Sequence, residues 1–489
     1  MTNATDTLTR QDIAAVAQEL AGARLGDRRR EDRAVAVLRR IAGSPSESFP
    51  SVFESDSELD GFYRFANNKA VDYQELIRAH VDSTCQRLVD EPTVVVSHDT
   101  TGFRFPGQSV REGVGWIRRN EPGFQGHFAL AVSAGPKRQP FGVLGMIPVI
   151  RSQPPKPKKA KRRLAGWDFA KRKTKETDRW LQLVKQVEHR VARSGKLLHV
   201  MDREADCFAL LFGMKQAQYR FLVRARHNRV VDGLEGVALK LRQLIATSPV
   251  LLEKEVPLSP RKKSSIPGAM PARNARRARL QVGVARASFR PPPYAKHRIG
   301  LELNVLYVRE IDPPQGEEPV EWILLTTERV QTPTEVEAVL EAYCRRWMIE
   351  EYFKALKSGC SYEQRQHESL SALLISLALL IPVAWKLLEL RHFARNLEQE
   401  PATAVFDETQ VPILRLMLHQ RGKTLSPTPS CREVMLAVAA LGGHLKRNGE
   451  PGWIVLRRGL EKFLAFEAGW RAAIALSESS TPANRRSGG

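Results

Sequence analysis

Two short apolar runs, each followed by an aspartate, constrain this chain more than any other feature. Thr93–Ser97 (TVVVS) leads into His98-Asp99-Thr100-Thr101, and Leu197–Met201 (LLHVM) leads into Asp202-Arg203-Glu204-Ala205-Asp206. A continuous apolar run of this length reads as a strand covered on both faces, as in a sheet with helices on each side. A carboxylate at the end of such a strand is held rigidly, which is what catalysis requires of a side chain. Asp206 is the second choice in the later run; an acid at a helix N-terminus explains it better. Tyr219–Val223 is a further strand, followed by Arg224. His127–Ser133 and Phe141–Ile150, joined by the Gly- and Pro-containing AGPKRQP, read as a hairpin. A helix is expected from Thr177 to Ala192.

A third acid lies in Tyr343–Lys357, YCRRWMIEEYFKALK. On a helix of about 100° per residue, Tyr343, Arg346, Glu350 and Lys357 fall at about 0°, 300°, 340° and 320°, one narrow stripe. Phe353, Ile349 and Leu356 flank it on one side, and Trp347, Leu340 and Val336 on the other. Glu337, Glu341, Arg345, Met348 and Glu351 fall on the far side and are expected in solvent. An Arg346–Glu350 pair at i, i+4 is worth only a few tenths of a kcal/mol as a surface ladder. On an apolar-flanked face it makes more sense as charge that is paired or used.

At 489 residues the chain is expected to form two to four domains. Its 76 Lys+Arg against 54 Asp+Glu give a formal charge of +22. Such an excess favours a polyanionic partner. The five cysteines are scattered, with no C-x-x-C, so neither a zinc site nor a disulfide framework is expected. The most apolar run, Leu370 to Trp385, contains Pro382 and reads as a buried helix; no membrane partner is expected. Arginines cluster near the start, seven of them between Arg24 and Arg40, a pattern suited to phosphate contacts. Residues 151–175 hold eleven Lys/Arg against one acid, and 261–290 hold nine against none. The first of these is read as a loop that orders on DNA.

The spacing Y-x2-R-x3-E-x6-K resembles the YREK signature of the bacterial cut-and-paste DDE transposases of the insertion-sequence-four family. Asp-Thr-Thr at 99–101, Asp-Arg-Glu-Ala-Asp at 202–206, and the blocks LGDRRREDR and GFYRFANN are similar to that family's corresponding runs. The resemblance extends over about residues 20–475, with the two basic stretches as departures. It implies an α/β fold: a ribonuclease-H-like catalytic core, a mixed five-stranded sheet with helices, that carries a β-rich insertion between helical N- and C-terminal domains. The expected division is a helical DNA-end-binding domain at 1–90, the first part of the core at 91–228, the insertion at 229–330, the last core helix at 331–365, a helical dimerisation region at 366–476 and a disordered tail at 477–489.

The resemblance makes Asp99, Asp202 and Glu350 both the catalytic residues and the metal ligands. Three carboxylates at one point repel each other unless hard cations join them, and oxygen-only ligands favour two Mg²⁺ ions, with Mn²⁺ able to substitute. Tyr343, Arg346, Lys357 and Lys354 become contacts to DNA phosphates. Trp322 becomes a platform for an unstacked base, Arg224 a group beside the active site, and Arg30 and Arg33 contacts to the transposon end. The implied partners are double-stranded DNA, as transposon ends and target, and a second copy of the chain in a synaptic homodimer. The expected setting is a bacterial cytoplasm, at the nucleoid. Two other readings stay open: a ribonuclease-H-like nuclease that does not join strands, and a catalytically silent DNA-binding inhibitor of transposition.

Overall fold

The computed structural model describes residues 16–473, except 108–110, 155–177, 192–194, 234–235, 259–270, 294, 296–298, 397–400, 405, 407–408, 446, 448–449, 457, 460–461, 464–465, 468 and 471–472. Most of the basic loop expected at 151–175, the first third of the stretch 261–290 and the tail 477–489 therefore lie outside the described residues.

The two aspartate-bearing runs are neighbouring strands. β1 (Val94–Arg104) pairs in parallel with β5 (Leu197–Met201), from Val94 opposite Leu197 to His98 opposite Met201. On the other side of β1 runs the antiparallel β3 (Glu121–Ser133), which pairs in turn with β4 (Pro140–Val149), the expected hairpin. A short β2 (Trp116–Arg118) pairs with the start of β3. β6 (Arg220–Arg224) lies parallel to β5. The central order is thus β4-β3-β1-β5-β6, a mixed five-stranded sheet.

The apolar pattern predicts that the first strand ends near Asp99, and the structure corrects this. β1 runs on to Arg104, because β3 keeps pairing with it as far as Gly123. Asp99 instead marks the place where the parallel ladder to β5 stops.

The strands after β6 do not form a separate body. β12 (Glu321–Thr326) pairs antiparallel with β6, and β11 (Leu301–Ile311) and β10 (Arg276–Phe289) follow. β9 (Val250–Leu258), β7 (Val230–Asp232) and β8 (Ala238–Lys240) complete one 12-stranded sheet. The free edge of β6 gives the physical reason: an unpaired row of N–H and C=O groups is satisfied by adding strands.

The helices α1 (Arg28–Gly43), α2 (Phe49–Val52), α3 (Asp56–Ala66) and α4 (Tyr73–Arg87) precede the sheet. Asp27, Ser55 and Asp72 cap α1, α3 and α4 by accepting from backbone N–H groups. α5 (Asp178–Val191) covers one face of the central sheet, and α6 (Phe208–Gln216) and α7 (Leu241–Ala246) follow it along the chain. α8 (Pro333–Arg345) and α9 (Trp347–Lys354) cover the other face.

The two faces follow from the alternation of side chains along a strand. Val95, Leu198, Val200 and Leu222 pack with Val336, Val339 and Leu340 of α8. Val94, Val96 and Leu197 pack with Leu183 and Val187 of α5. Asp99 is in phase with Val95, and Asp202 with Leu198 and Val200. Both acids therefore belong to the α8–α9 face.

α10 (Leu370–Asn396) is the long apolar helix, with Pro382 inside it. Its length and hydropathy would suffice to cross a membrane, but 83% of that window is buried within the protein. It packs against α1, α3 and α4 on one side and Tyr352, Phe353 and Leu356 on the other, in a single apolar cluster. α11 (Gln410–His419) and α12 (Cys431–Leu441) follow.

Candidate active site

The parallel register sets the first two acids side by side. Every paired residue of β5 is 103 positions beyond its partner on β1 (197 − 94, 201 − 98), and 99 + 103 is 202. Asp99 and Asp202 thus stand where the next ladder pair would be. Asp202 begins a 3₁₀ turn (Arg203–Ala205), and its carboxylate accepts from the Glu204 N–H at 2.8 Å. The Asp99 carboxylate accepts from the Thr100 N–H at 2.7 Å.

Glu350 arrives on α9 and is joined to Asp99 through Arg346. The Arg346 guanidinium donates to Asp99 Oδ2 at 3.2 Å and to Glu350 Oε1 at 2.8 Å, with only 9% of its side chain exposed. Burial pushes the Asp99 carboxyl up to about 7; Arg346 opposes the shift, and the charges of Asp202 and Glu350 add to it. Burial raises Glu350 as well, against Arg346 and Lys354, with Asp202 again adding to the rise. Arg346 opposes the rise at both Asp99 and Glu350 without cancelling it. The donor set is oxygen-only and short of positive charge, which fits hard divalent cations. Among the described residues, no three His, Cys, Asp or Glu side chains are gathered tightly enough to form a ready metal cluster.

Asp206 does not join this group. It is buried, accepts from the N–H groups of Arg226 and His227 at 2.7 and 2.8 Å, and pairs with Arg229. It clamps the loop after β6.

The Tyr343–Lys357 stretch is not one regular helix, as its stripe implied. α8 ends at Arg345, and Arg346 stands at a tight turn, its N–H donating to Tyr343 O and its carbonyl accepting from Ile349 N–H. After α9 the chain widens into a π-helical segment, Ala355–Gly359. Such insertions change the phase of the downstream residues and often sit at functional places.

Lys357 lies in that segment and donates to Gly102 O of β1 at 2.6 Å, above the Phe103 ring. Lys354 is exposed and pairs with Glu351. Tyr343 is buried, with its ring 5.4 Å from that of Trp322, and burial raises its hydroxyl pKa despite the nearby charge of Arg224. Arg224 also donates to Glu321 O at 3.0 Å. Asp99, Asp202, Glu350, Arg346, Tyr343, Arg224 and Trp322 thus form one neighbourhood. Arg30 and Arg33 sit elsewhere, on α1; Arg30 donates to Ala70 O at 3.2 Å, and Arg33 lies across Gly61 of α3.

Two residues reverse their expected places. Arg345, expected in solvent, is 7% exposed and donates to the carbonyls of Ser133, Ala134 and Gly135 at the β3–β4 turn. Trp347, expected on the apolar flank, is 58% exposed, with the Arg346 guanidinium over its ring at 5.4 Å. The turn at Arg346 shifts the helical phase for Trp347, which follows it; Arg345 precedes the turn within α8 and is buried because the carbonyls of the β3–β4 turn lie on its side of the helix. Sequence reasoning also assigns no role to His98 and His199. Their signal was there: a histidine in each of two otherwise apolar strands, close before each aspartate.

The chain matches the family model described as Transposase DNA-binding over residues 12–71, and the model described as Transposase DDE domain over residues 164–381. The second match includes Asp202 and Glu350 and begins after Asp99. Among solved structures, one described as "Cryo-EM structure of piggyBac transposase synaptic complex with hairpin DNA (SNHP)" is similar at 10% identity and a TM-score of 0.33, over 99% of this chain and 85% of that one. At that score the likeness carries no inference. The chain holds a transposase DNA-binding domain and a transposase DDE domain, and these support a DDE transposase.

Proposed function

We propose that this chain is a cut-and-paste DNA transposase of the insertion-sequence-four kind, acting as a dimer on two paired transposon ends. The observation that carries the reading is the meeting of three acids from distant parts of the chain. The β1–β5 register sets Asp99 beside Asp202, and Arg346 ties Glu350 to Asp99. The mixed five-stranded order β4-β3-β1-β5-β6 supports the ribonuclease-H-like core that the sequence resemblance implies.

Asp99, Asp202 and Glu350 would hold two Mg²⁺ ions, or Mn²⁺, which when bound would supply Lewis-acid stabilisation of the attacking and leaving oxygens in a phosphoryl transfer. The chain's own residues supply position and charge. Arg346 exchanges carboxylates for a DNA phosphate, Lys354 swings from Glu351 toward the backbone, and Tyr343 and Arg224 wall the site beside Asp202. The sequence of reactions is a first nick, hairpin closure by the freed 3′-hydroxyl, and strand transfer.

The test uses Asp99→Asn, Asp202→Asn and Glu350→Gln, with an end duplex taken from inverted repeats flanking the gene. Each variant should lose nicking, hairpin and joined products in Mg²⁺ while still shifting the duplex on a native gel. Full cleavage by any one of them would remove that residue from the site. Cleavage without joined products in the unaltered protein would favour a nuclease.

A further inference from the structure

Behind the acids, on the α5 face of the sheet, three fully buried histidines cross neighbouring strands: His199 on β5, His98 on β1 and His127 on β3. An apolar face has no need of them; a buried polar ring costs stability unless it is hydrogen-bonded. Two of the three are linked to a carboxylate. Glu188 of α5 lies 3.0 Å from His199 Nε2, and His199 Nδ1 lies 2.8 Å from His98 Nε2.

The chemistry of the groups orders the protons. An ionised carboxylate only accepts, so His199 Nε2 carries hydrogen. With the His199 ring neutral, its single N–H is at Nε2, its Nδ1 is a lone pair, and His98 Nε2 is the donor of the bond between the rings. The direction is set at Glu188 and passed to β1.

The place of this chain of bonds matters as much as its order. His98 is opposite Met201, the last pair of the parallel ladder, and directly precedes Asp99. The ladder ends at that pair, and β5 turns into the 3₁₀ turn at Asp202. The His98–His199 bond runs diagonally across the strand pair at this point, and α5 anchors it. The two bonds of this buried chain are directional and favour one geometry where apolar packing would allow several, and the chain ends at His98 Nδ1, which is buried without a hydrogen-bond partner.

We infer that Glu188, His199 and His98 are positioning residues that fix the spacing of Asp99 and Asp202 for cation binding from the far face of the sheet. The inference rests on the proposed reading of those aspartates as a cation-binding pair. The three side chains touch neither DNA nor cation. They act through the strands that carry the acids, as outer-shell partners do at metal sites.

The test is Mn²⁺ uptake by the full-length chain without DNA, with free Mn²⁺ counted by electron paramagnetic resonance and thermal unfolding recorded beside it. Asp99→Asn is the reference and should lose uptake. His98→Phe, which removes the donor, should weaken uptake by about tenfold or more, while His98→Gln, which keeps an N–H near the same place, should stay within about twofold of the unaltered protein. Glu188→Leu, which frees the proton order while leaving the ring pair in place, should weaken uptake by roughly threefold to tenfold. If His98→Phe does not fold, Glu188→Leu decides alone. Normal uptake by Glu188→Leu and by any folded His98→Phe, with uptake lost in Asp99→Asn, overturns the inference and spares the site. Equal losses in His98→Phe and His98→Gln overturn it too, since the hydrogen bond would not be the cause. Normal uptake by Asp99→Asn, or none by the unaltered protein, removes the reading of the site itself.

Discussion

At Asp99 burial and charge conflict. Its carboxyl sits at about 7 when folded, against an ordinary 3.8. Between those values the folded chain holds a proton that the unfolded chain has lost. Stability therefore falls as pH rises from about 4 to about 7 and levels off above, the sign for a raised acid. Glu350 is shifted the same way. The cation-free protein should melt at a higher temperature at pH 5 than at pH 7.5 by this contribution, and Asp99→Asn should flatten that part of the profile. An unchanged slope in the variant would show that other groups dominate. The two tryptophans near the site separate at the same scale. Trp322 is half-buried against Tyr343, so Trp322→Ala should cost about 2 kcal/mol of stability and lower all DNA steps together. Loss of hairpin closure alone, with an unchanged melting temperature, would instead support a stacking role for Trp322. Trp347 stands exposed three residues before Glu350, so Trp347→Ala should leave the melting temperature unchanged and weaken DNA binding or hairpin closure by about 1–3 kcal/mol, the worth of one stacked base. Melting curves and a gel time course on a labelled end duplex read both variants.

At the scale of elements, the π-helical segment after α9 decides the use of Lys357. Read as a continuous helix, the sequence puts Lys357 on the acid stripe as a phosphate ligand. The widened turn delivers its ammonium to Gly102 O instead, so that it fastens α9 to β1 three residues beyond Asp99. Lys357→Met should lose about 1–2 kcal/mol of stability with no DNA present, the worth of a charged hydrogen bond to backbone. A variant that melts like the unaltered protein but binds DNA more weakly would restore the phosphate role. Arg345 has a similar task at the other end of the same face, where three carbonyls of the β3–β4 turn converge on its guanidinium. Both basic side chains hold the α8–α9 segment to the sheet.

Across the whole molecule, the N-terminal helices are tied to the sheet by a buried polar knot. Glu19 pairs with Arg87 and with His80 Nδ1, both at 2.6 Å, while the Val143 N–H of β4 donates to His80 Nε2 at 3.1 Å. Burial alone would raise the Glu19 carboxyl, but His80 and Arg87 hold it down at about 2. Glu19, within the transposase DNA-binding match, is thereby tied to α4 and through His80 to β4 of the sheet. With +22 net charge, binding should weaken linearly in log affinity against log salt, by about 0.9 per phosphate neutralised. Arg30→Ala and Arg33→Ala should each reduce that slope by about one such step, provided their circular dichroism stays unchanged. Unaltered slopes in both variants would take α1 out of the interface.

The sequence alone determined what depends on short-range pattern. Short apolar runs read as covered strands because burial on both faces demands apolar side chains, and β1, β5, β6 and the β3–β4 hairpin formed where such runs stood. The buried helix α10 was legible for the same reason. The three acids were legible through motif spacing, but not their meeting, which depends on a parallel register between strands about a hundred residues apart. Tertiary structure alone decided the rest. It carried β1 past Asp99, because β3 offered hydrogen bonds beyond the end of β5. It joined the later strands to one sheet, because β6 had a free edge. It buried Arg345, because three carbonyls of the β3–β4 turn meet its guanidinium, and it exposed Trp347, because a tight turn at Arg346 shifts the helical phase that any reading at 100° per residue takes as constant. It also linked His98 to His199, a bond between side chains that no local spacing encodes.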